Sequence, residues 1–385
     1  MPASLLSLLL SLALTAQETP PPLLPVMVAS QPSITVSPAA GGERKLMLWR
    51  AGTPTCTGSD GEGVAIRPVM MVEPDPLATF RKVPSPPFTV TFDLDPDGRP
   101  FNLRSDVQPS YRLEARDVMP ALRASSFATG TGAKTGCRIT YTASVVPFDE
   151  MDLATLARYG AVPRQQLTSA AWQQIAPGNC RDNPRLAPLL RGYPDWRKIA
   201  ARPGMRSWSY VRYDVNAAGK PVKIETAVSA GDPALDAEVR AAIAQSRYAG
   251  GPRTGCGVVL WRDPGTVPAP PIPPAASIKS NPACEIDDRW ARAPQLTYPD
   301  TYRQRAIEGW AIVRFDVAPW GQIGEVTVLE AQPTTEFGDA AVNVLRNARF
   351  KPMAGGLSGC VDRVIFRMRP DPAAPPEEEP AGNEG

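Results

Sequence analysis

Side chains alternate between apolar and polar from Glu308 to Val317, and again from Ile323 to Glu330 after Trp320-Gly321-Gln322. The two runs predict a β-hairpin in which Gly321 supplies the positive φ that the turn needs. The period then changes. Phe337, Ala341, Val344, Leu345 and Ala348 fall on one face of a helix over 337–349. From Cys360 alternation resumes, with Val361, Val364, Phe366 and Met368 as the apolar positions of a closing strand. The order is strand, strand, helix, strand.

Two upstream stretches repeat this order. Trp208 to Val215 runs into Gly219-Lys220, and Tyr213 precedes Gly219 by the interval that separates Phe315 from Gly321. A helical run over 233–247 follows, Tyr248 takes the place of Phe350, and Tyr193-Pro194-Asp195 parallels Tyr298-Pro299-Asp300. The first repeat is fainter: Phe88 to Leu94 leads to Gly98-Arg99, and Arg138 to Tyr141 closes it. Its helical slot, 111–127, holds Pro120, which kinks the helix or delays its start. Arg44 to Trp49 reads as an edge strand ahead of Cys56, and 148–174 as a helical connection.

The cysteines follow the same repeat. Cys180 and Cys256 lie 76 residues apart, as do Cys284 and Cys360, and Cys56 and Cys137 are separated by 81. Each second cysteine follows a glycine: Gly136, Gly255 and Gly359. Six cysteines admit fifteen pairings in general, and one geometry used three times predicts one bridge per copy, with buried free thiols as the alternative. The expected class is therefore α+β, with three tandem modules. Each is a small antiparallel three-stranded sheet packed against a helix (β-β-α-β) and holds one internal disulfide.

Composition narrows the chemistry. The chain has no histidine, so the commonest general base and the commonest neutral metal ligand are both missing, and no CxxC spacing stands in for them. Asp93, Asp214 and Asp316 recur beside the same turn and read as residues that set that turn. No catalytic residue, metal site or cofactor is expected. A net charge of +2 does not favour nucleic acid. Arg346, Arg349, Lys351, Arg363, Arg367 and Arg369 concentrate late in the third copy, either as ordinary surface residues or as a patch for an acidic segment.

Residues 1–16 read as an export signal built on the apolar run from Leu5 to Ala16, and 17–40 as a Pro-rich leader in which Ile34-Thr35-Val36 forms a short strand. The three modules are expected over 41–147, 148–265 and 281–370. A Pro/Ala-rich linker at 266–280 separates the last two, and an acidic disordered tail at 371–385 ends the chain. This organisation points to an oxidising compartment reached by export. Contact with the inner membrane is left open.

In a small three-stranded sheet the closing strand is an edge, able to take an extended peptide through its main chain. The succession Tyr298-Pro299, Arg305-Ala306-Ile307-Glu308-Gly309, Val313-Arg314-Phe315-Asp316-Val317, Gly321, Ala340-Ala341 and Ala348-Arg349-Phe350-Lys351-Pro352 resembles the C-terminal domain of the TonB energy-transducer family. The resemblance spans 296–369, is weaker over 189–261 and faint over 88–141. It implies a periplasmic domain that holds the N-terminal segment of an outer-membrane receptor by strand addition. The accepting strand maps onto Val364, Ile365, Phe366, Arg367, Met368 and Arg369. Full members carry an inner-membrane helix and a long Pro-rich spacer, whereas about twenty Pro-rich residues here would reach only about 60 Å. The sequence thus reads as a periplasmic protein that binds a protein or peptide without catalysis. An energy transducer with an unusual anchor is the alternative.

Overall fold

The computed structural model describes residues 43–58, 61–106, 113–130, 132–274, 278, 280–284 and 288–368. The expected export signal, leader and acidic tail, together with Arg369, lie outside the described residues. In chain order the first stretch contains β1 (Lys45–Ala51), β2 (Thr55–Thr57), β3 (Gly63–Ala65), β4 (Pro68–Met70), β5 (Leu77–Thr79), β6 (Phe88–Leu94), β7 (Pro100–Ser105), α1 (Val118–Ala124), β8 (Ser126–Phe127) and β9 (Lys134–Pro147). Next come α2 (Leu153–Ala161), α3 (Ser169–Ile175), β10 (Ala187–Leu190), β11 (Ser207–Val215), β12 (Pro221–Ser229), α4 (Pro233–Gln245), β13 (Arg247–Ala249) and β14 (Arg253–Arg262). The last stretch holds β15 (Trp290–Arg292), α5 (Asp300–Gln304), β16 (Gly309–Val317), β17 (Ile323–Gln332), α6 (Thr335–Arg346), β18 (Arg349–Phe350) and β19 (Leu357–Phe366).

One antiparallel arrangement appears three times, as β7-β6-β9, β12-β11-β14 and β17-β16-β19, each with the hairpin's first strand in the middle. The same closure holds each hairpin. Gly98, Gly219 and Gly321 have φ of 76°, 74° and 84°, and their carbonyls accept the amides of Phe127, Tyr248 and Phe350, all at 2.9 Å. A Cβ on any of these glycines would collide with the carbonyl oxygen of the aromatic residue that clasps it. The clasping ring packs on the middle strand: Phe92–Phe127, Tyr213–Tyr248 and Phe315–Phe350 have centroids 5.8, 6.2 and 6.1 Å apart. Disulfides join Cys56 to Cys137, Cys180 to Cys256 and Cys284 to Cys360.

The recurring aspartates do not set the hairpin turn, as their position in the sequence suggested. Asp93, Asp214 and Asp316 reach across to the closing strand and accept the amides of Gly136, Gly255 and Gly359 at 3.0, 2.9 and 2.7 Å. Those glycines have φ of 62°, 61° and 67°, so each carboxylate fixes the left-handed residue that precedes a bridging cysteine. The Gly255 amide and then the Lys223 ammonium hold the Asp214 carboxyl below its ordinary range.

The surroundings of the three sheets differ. The first sheet has seven strands instead of three, because β1, β2, β3 and β5 extend it beyond β9. β1 is not an edge strand: it lies between β9 and β5, and Leu46 and Met47, which point to opposite faces, are both completely buried. α1 starts late, as Pro120 required, with the proline in the first turn where its missing N–H costs no bond. The connection over 148–174 is two short helices, capped by Asp152 on the Thr155 amide and by Thr168 on the Ala171 amide. They cover Trp208 and Tyr210 on one face of β11, while Val211, Tyr213 and Val215 meet Leu235, Val239 and Ile243 of α4 on the other.

The described residues from Glu43 on make one compact unit, and buried charge marks its seams. Arg305 is 4% exposed. Its Nε donates to Asp117 at 2.6 Å, its Nη1 to the Gly204 carbonyl at 3.1 Å and its Nη2 to the Glu73 carbonyl at 3.1 Å. Burial works against its charge, but the Asp117 and Asp75 carboxylates outweigh it and hold the pKa above the usual arginine value. Arg123 is also buried, donating to the carbonyls of Pro100 and Pro268 at 2.7 and 2.6 Å, and burial draws its pKa down to about 10. The first part of the Pro/Ala-rich stretch is packed: Val267 is fully buried and pairs with Ile307, and Pro270 accepts the Trp310 indole N–H at 2.8 Å.

Candidate functional site

β19 lies at the side of the third sheet and pairs only with β16 among the described residues, from Leu357↔Val317 to Phe366↔Gly309. The outward direction of its main chain follows from one bond. The Val361 amide turns away from β16 and meets Ser280 Oγ at 3.0 Å. Strand alternation then directs the main-chain groups of Arg363, Ile365 and Arg367 outward, and those of Val364 and Phe366 towards β16. The segment bearing Cys284 shields the start of this edge, because the Asn281 amide donates to the Gly359 carbonyl at 3.3 Å and its side chain to the Ser358 carbonyl at 2.9 Å. Asp362 Oδ1 takes the Arg363 amide at 2.8 Å. Beyond that point the outer side has no strand beside it among the described residues.

The expected accepting residues occupy three settings. Val364 is half-buried against the core, Phe366 is fully buried, and Ile365 is 38% exposed on the other face. Arg367 is exposed and Met368 half-buried just past the end of β19, with the Met368 amide on Glu308 Oε1 at 2.9 Å. Phe366 is held by rings: Tyr298 and Phe337 lie 5.5 and 5.2 Å from it, and Tyr302 lies 4.9 Å from Phe337. Tyr298 enters this cluster directly before Pro299 and α5, and its hydroxyl donates to the Ile307 carbonyl at 2.5 Å. Burial, and then the Glu308 carboxylate, push that hydroxyl above its ordinary range.

A cleft of about 770 Å³ opens where β19 ends, lined by Leu296, Tyr298, Arg303, Met368, Arg367 and, from the loop between α2 and α3, Arg164. Leu296 is 50% exposed. Its place and that of Arg164 depend on how distant stretches pack, which no local pattern announces. The basic residues noted late in the chain do not gather into one patch. Arg349 bridges to Gln322 at the hairpin end of the sheet and Lys351 pairs with Asp288 at 2.5 Å, whereas Arg367 lies beyond the opposite end of β19. A strand of nine residues separates the two ends, or about 30 Å.

No group of three acidic or cysteine side chains is placed to hold a metal ion among the described residues, and no helix among them is long and apolar enough to cross a membrane. The arrangement supplies an open main-chain edge, an aromatic core beneath it and a half-apolar, half-basic cleft at its end. Those features suit the binding of an extended segment.

Comparison with known proteins gives a family match that ends just ahead of this edge. Residues 294–362 match the family described as Gram-negative bacterial TonB protein C-terminal. Protein TonB of Salmonella typhimurium (strain LT2) is 33% identical over 105 residues, which cover 27% of this chain and 43% of that protein. Protein TonB of Escherichia coli (strain K12) is 32% identical over 103 residues, 27% of this chain and 40% of that protein. The chain thus spans less than half the length of the curated relatives it matches, and Val364 to Met368 follow directly after the matched residues. With its hairpin, its helix and the first part of its closing strand inside the match, the stretch 294–362 is similar to a TonB C-terminal domain.

Proposed function

We propose that this protein is a non-enzymatic binding protein of the Gram-negative cell envelope whose third sheet takes an extended segment of a protein partner beside β19, at Val364 to Arg369. The observation that carries the reading is the outer side of β19, which from Arg363 onward has no strand beside it among the described residues, next to a TonB C-terminal match that ends at residue 362. Main-chain hydrogen bonds supply affinity in strand addition, and alternate side chains supply selectivity. The N-terminal segment of an outer-membrane receptor is the partner class that the family match favours. The threefold recurrence of the clasped glycine, the aspartate lock and the disulfide supports three TonB-like modules, over 41–147, 148–265 and 281–370, joined through 266–280. Three disulfides favour an oxidising compartment such as the periplasm, reached by an export signal at 1–16.

The test uses the full chain and synthetic peptides tiled over the N-terminal segments of outer-membrane receptors. Proline is placed at Ile365, whose amide points outward, because the Val364 amide faces β16 and proline there would damage the sheet itself. Ile365→Pro should weaken the binding of any peptide that the wild type takes by at least roughly 10-fold and leave the melting temperature within a few degrees. Unchanged affinity in a folded variant removes β19 as the accepting strand.

A further inference from the structure

The three closing strands can be placed on one scale through their registers. Cys137, Cys256 and Cys360 stand opposite Phe92, Tyr213 and Phe315, and Tyr141, Leu260 and Val364 stand opposite Phe88, Ser209 and Ala311. Tyr141 is therefore the counterpart of Val364, and the stretch 141–145 that of 364–368. In the first sheet this stretch is already covered. β1 runs antiparallel along its outer side, pairing Ala51 with Tyr141 and Lys45 with Pro147. β2 continues the cover, with Thr55 opposite Arg138.

We infer that β1 is a built-in occupant of the first sheet's strand-accepting edge, so that no partner strand adds beside β9, whereas the corresponding edge beside β19 stays receptive. The inference rests on the strand-addition reading for its consequence and on the register alone for the occupancy of β9. β1 is a fixed occupant. Leu46 and Met47 are fully buried, the Trp49 indole N–H donates to the Glu114 carbonyl at 3.0 Å, and the Cys56–Cys137 bridge ties β2 to β9. The outer side of β1 is in turn closed by β5, a strand of three residues, and so short a strand is a poor template for further pairing.

In the second sheet the closing strand has no such occupant, since β14 pairs only with β11 among the described residues. β14 ends at Arg262, and the chain then turns to pair Gly265 with residues 202–204: the Gly204 amide donates to the Gly265 carbonyl, and the Gly265 amide to the Arg202 carbonyl, both at 3.0 Å. Leu260 to Arg262 are the counterparts of Val364 to Phe366, so β14 and β19 end at the same level and differ only in the path that follows. The occupant of the first edge also indicates what kind of segment such an edge takes. Met47 and Trp49, two residues apart, face the core beside Ala143 and Val145. Val145 is the counterpart of Met368, which lines the cleft with Leu296 and Tyr298. A partner strand at β19 would therefore carry apolar side chains at alternate positions, the outermost lying against those two residues.

Hydrogen exchange of the intact, oxidised full chain, read by mass spectrometry, tests the occupancy directly. The amides of Thr142, Ser144 and Val146 should exchange at least roughly 100-fold more slowly than those of Ile365 and Arg367. Equal rates would overturn the inference. Titration with whichever receptor-derived peptide binds tests the consequence. New protection over 363–368 and none over 141–147 is the expected result, and new protection over 141–147 refutes it. If no peptide binds, the strand-addition reading falls, while the exchange rates still decide what covers β9.

Discussion

Around Gly98 and around Gly321 the chain makes the same closures: the aromatic residue after the helix clasps the hairpin glycine, an aspartate from the middle strand holds a left-handed glycine, and a disulfide follows. Beyond Tyr141, however, the first sheet continues into β1 and β5, whereas beyond Val364 the third sheet has no neighbouring strand among the described residues. The parts that fix the local path of the chain recur, and the parts that decide what touches the outside differ. The same hairpin closure can therefore sit in an enclosed sheet in one place and beside an open edge in another without any change in its geometry.

The largest effect is expected where the two regions are joined. Arg305 belongs to the approach to the third sheet and Asp117 to the first, and Arg305→Ala leaves a buried carboxylate without its cation. A loss of about 3–5 kcal/mol in denaturant unfolding is expected, against less than about 1 kcal/mol for Arg303→Ala, whose partner Asp300 is exposed. Similar costs for both would mean that the seam does not depend on the buried pair.

The equivalence of the two hairpins can be sharpened at their glycines. Gly98→Ala and Gly321→Ala should each cost roughly 3 kcal/mol, since both combine strain at positive φ with a carbonyl in the way. Gly355→Ala is the control, with φ of 81° and open space around it, and should cost about 1 kcal/mol. Clearly unequal losses at Gly98 and Gly321 would show that the shared geometry carries different weight in the two sheets.

The smallest effect concerns the aspartate lock, measured in the second sheet. Because the folded Asp214 carboxyl has a lowered pKa, its contribution is complete above the unfolded value, near about 4. It is lost as pH falls through the lower folded value. Asp214→Asn should cost about 1 kcal/mol at neutral pH and flatten the decline in unfolding free energy below pH ~4. An unaltered acid profile would remove Asp214 from the account.

What could be read from the sequence was local. Alternation ending at Gly321, the helical face of Phe337, Ala341 and Leu345, and equal cysteine spacing each lie within one copy, so hairpins, helices and bridges were visible before any packing was known. Three features depended on contacts between distant residues. The partner of Asp316 is an amide 43 residues away. The strand from Lys45 looks like an edge until β5 is seen on its far side. Arg305, within the stretch that matches the family, gave no sign that its partner lies 188 residues earlier. At the candidate site, the apolar alternation of the closing strand was legible, but the cleft at its end was not, because residues from five separate stretches must meet to form it.

The three sulfur bridges join cysteines that are consecutive along the chain, with no bridge enclosing or crossing another. An oxidising enzyme that couples each cysteine to the next one it meets, as the chain emerges from its N-terminal end, would make the native set in a single pass. Such vectorial oxidation needs no later isomerase to correct mispaired thiols, so a chain with six cysteines can mature with the fidelity of one with two.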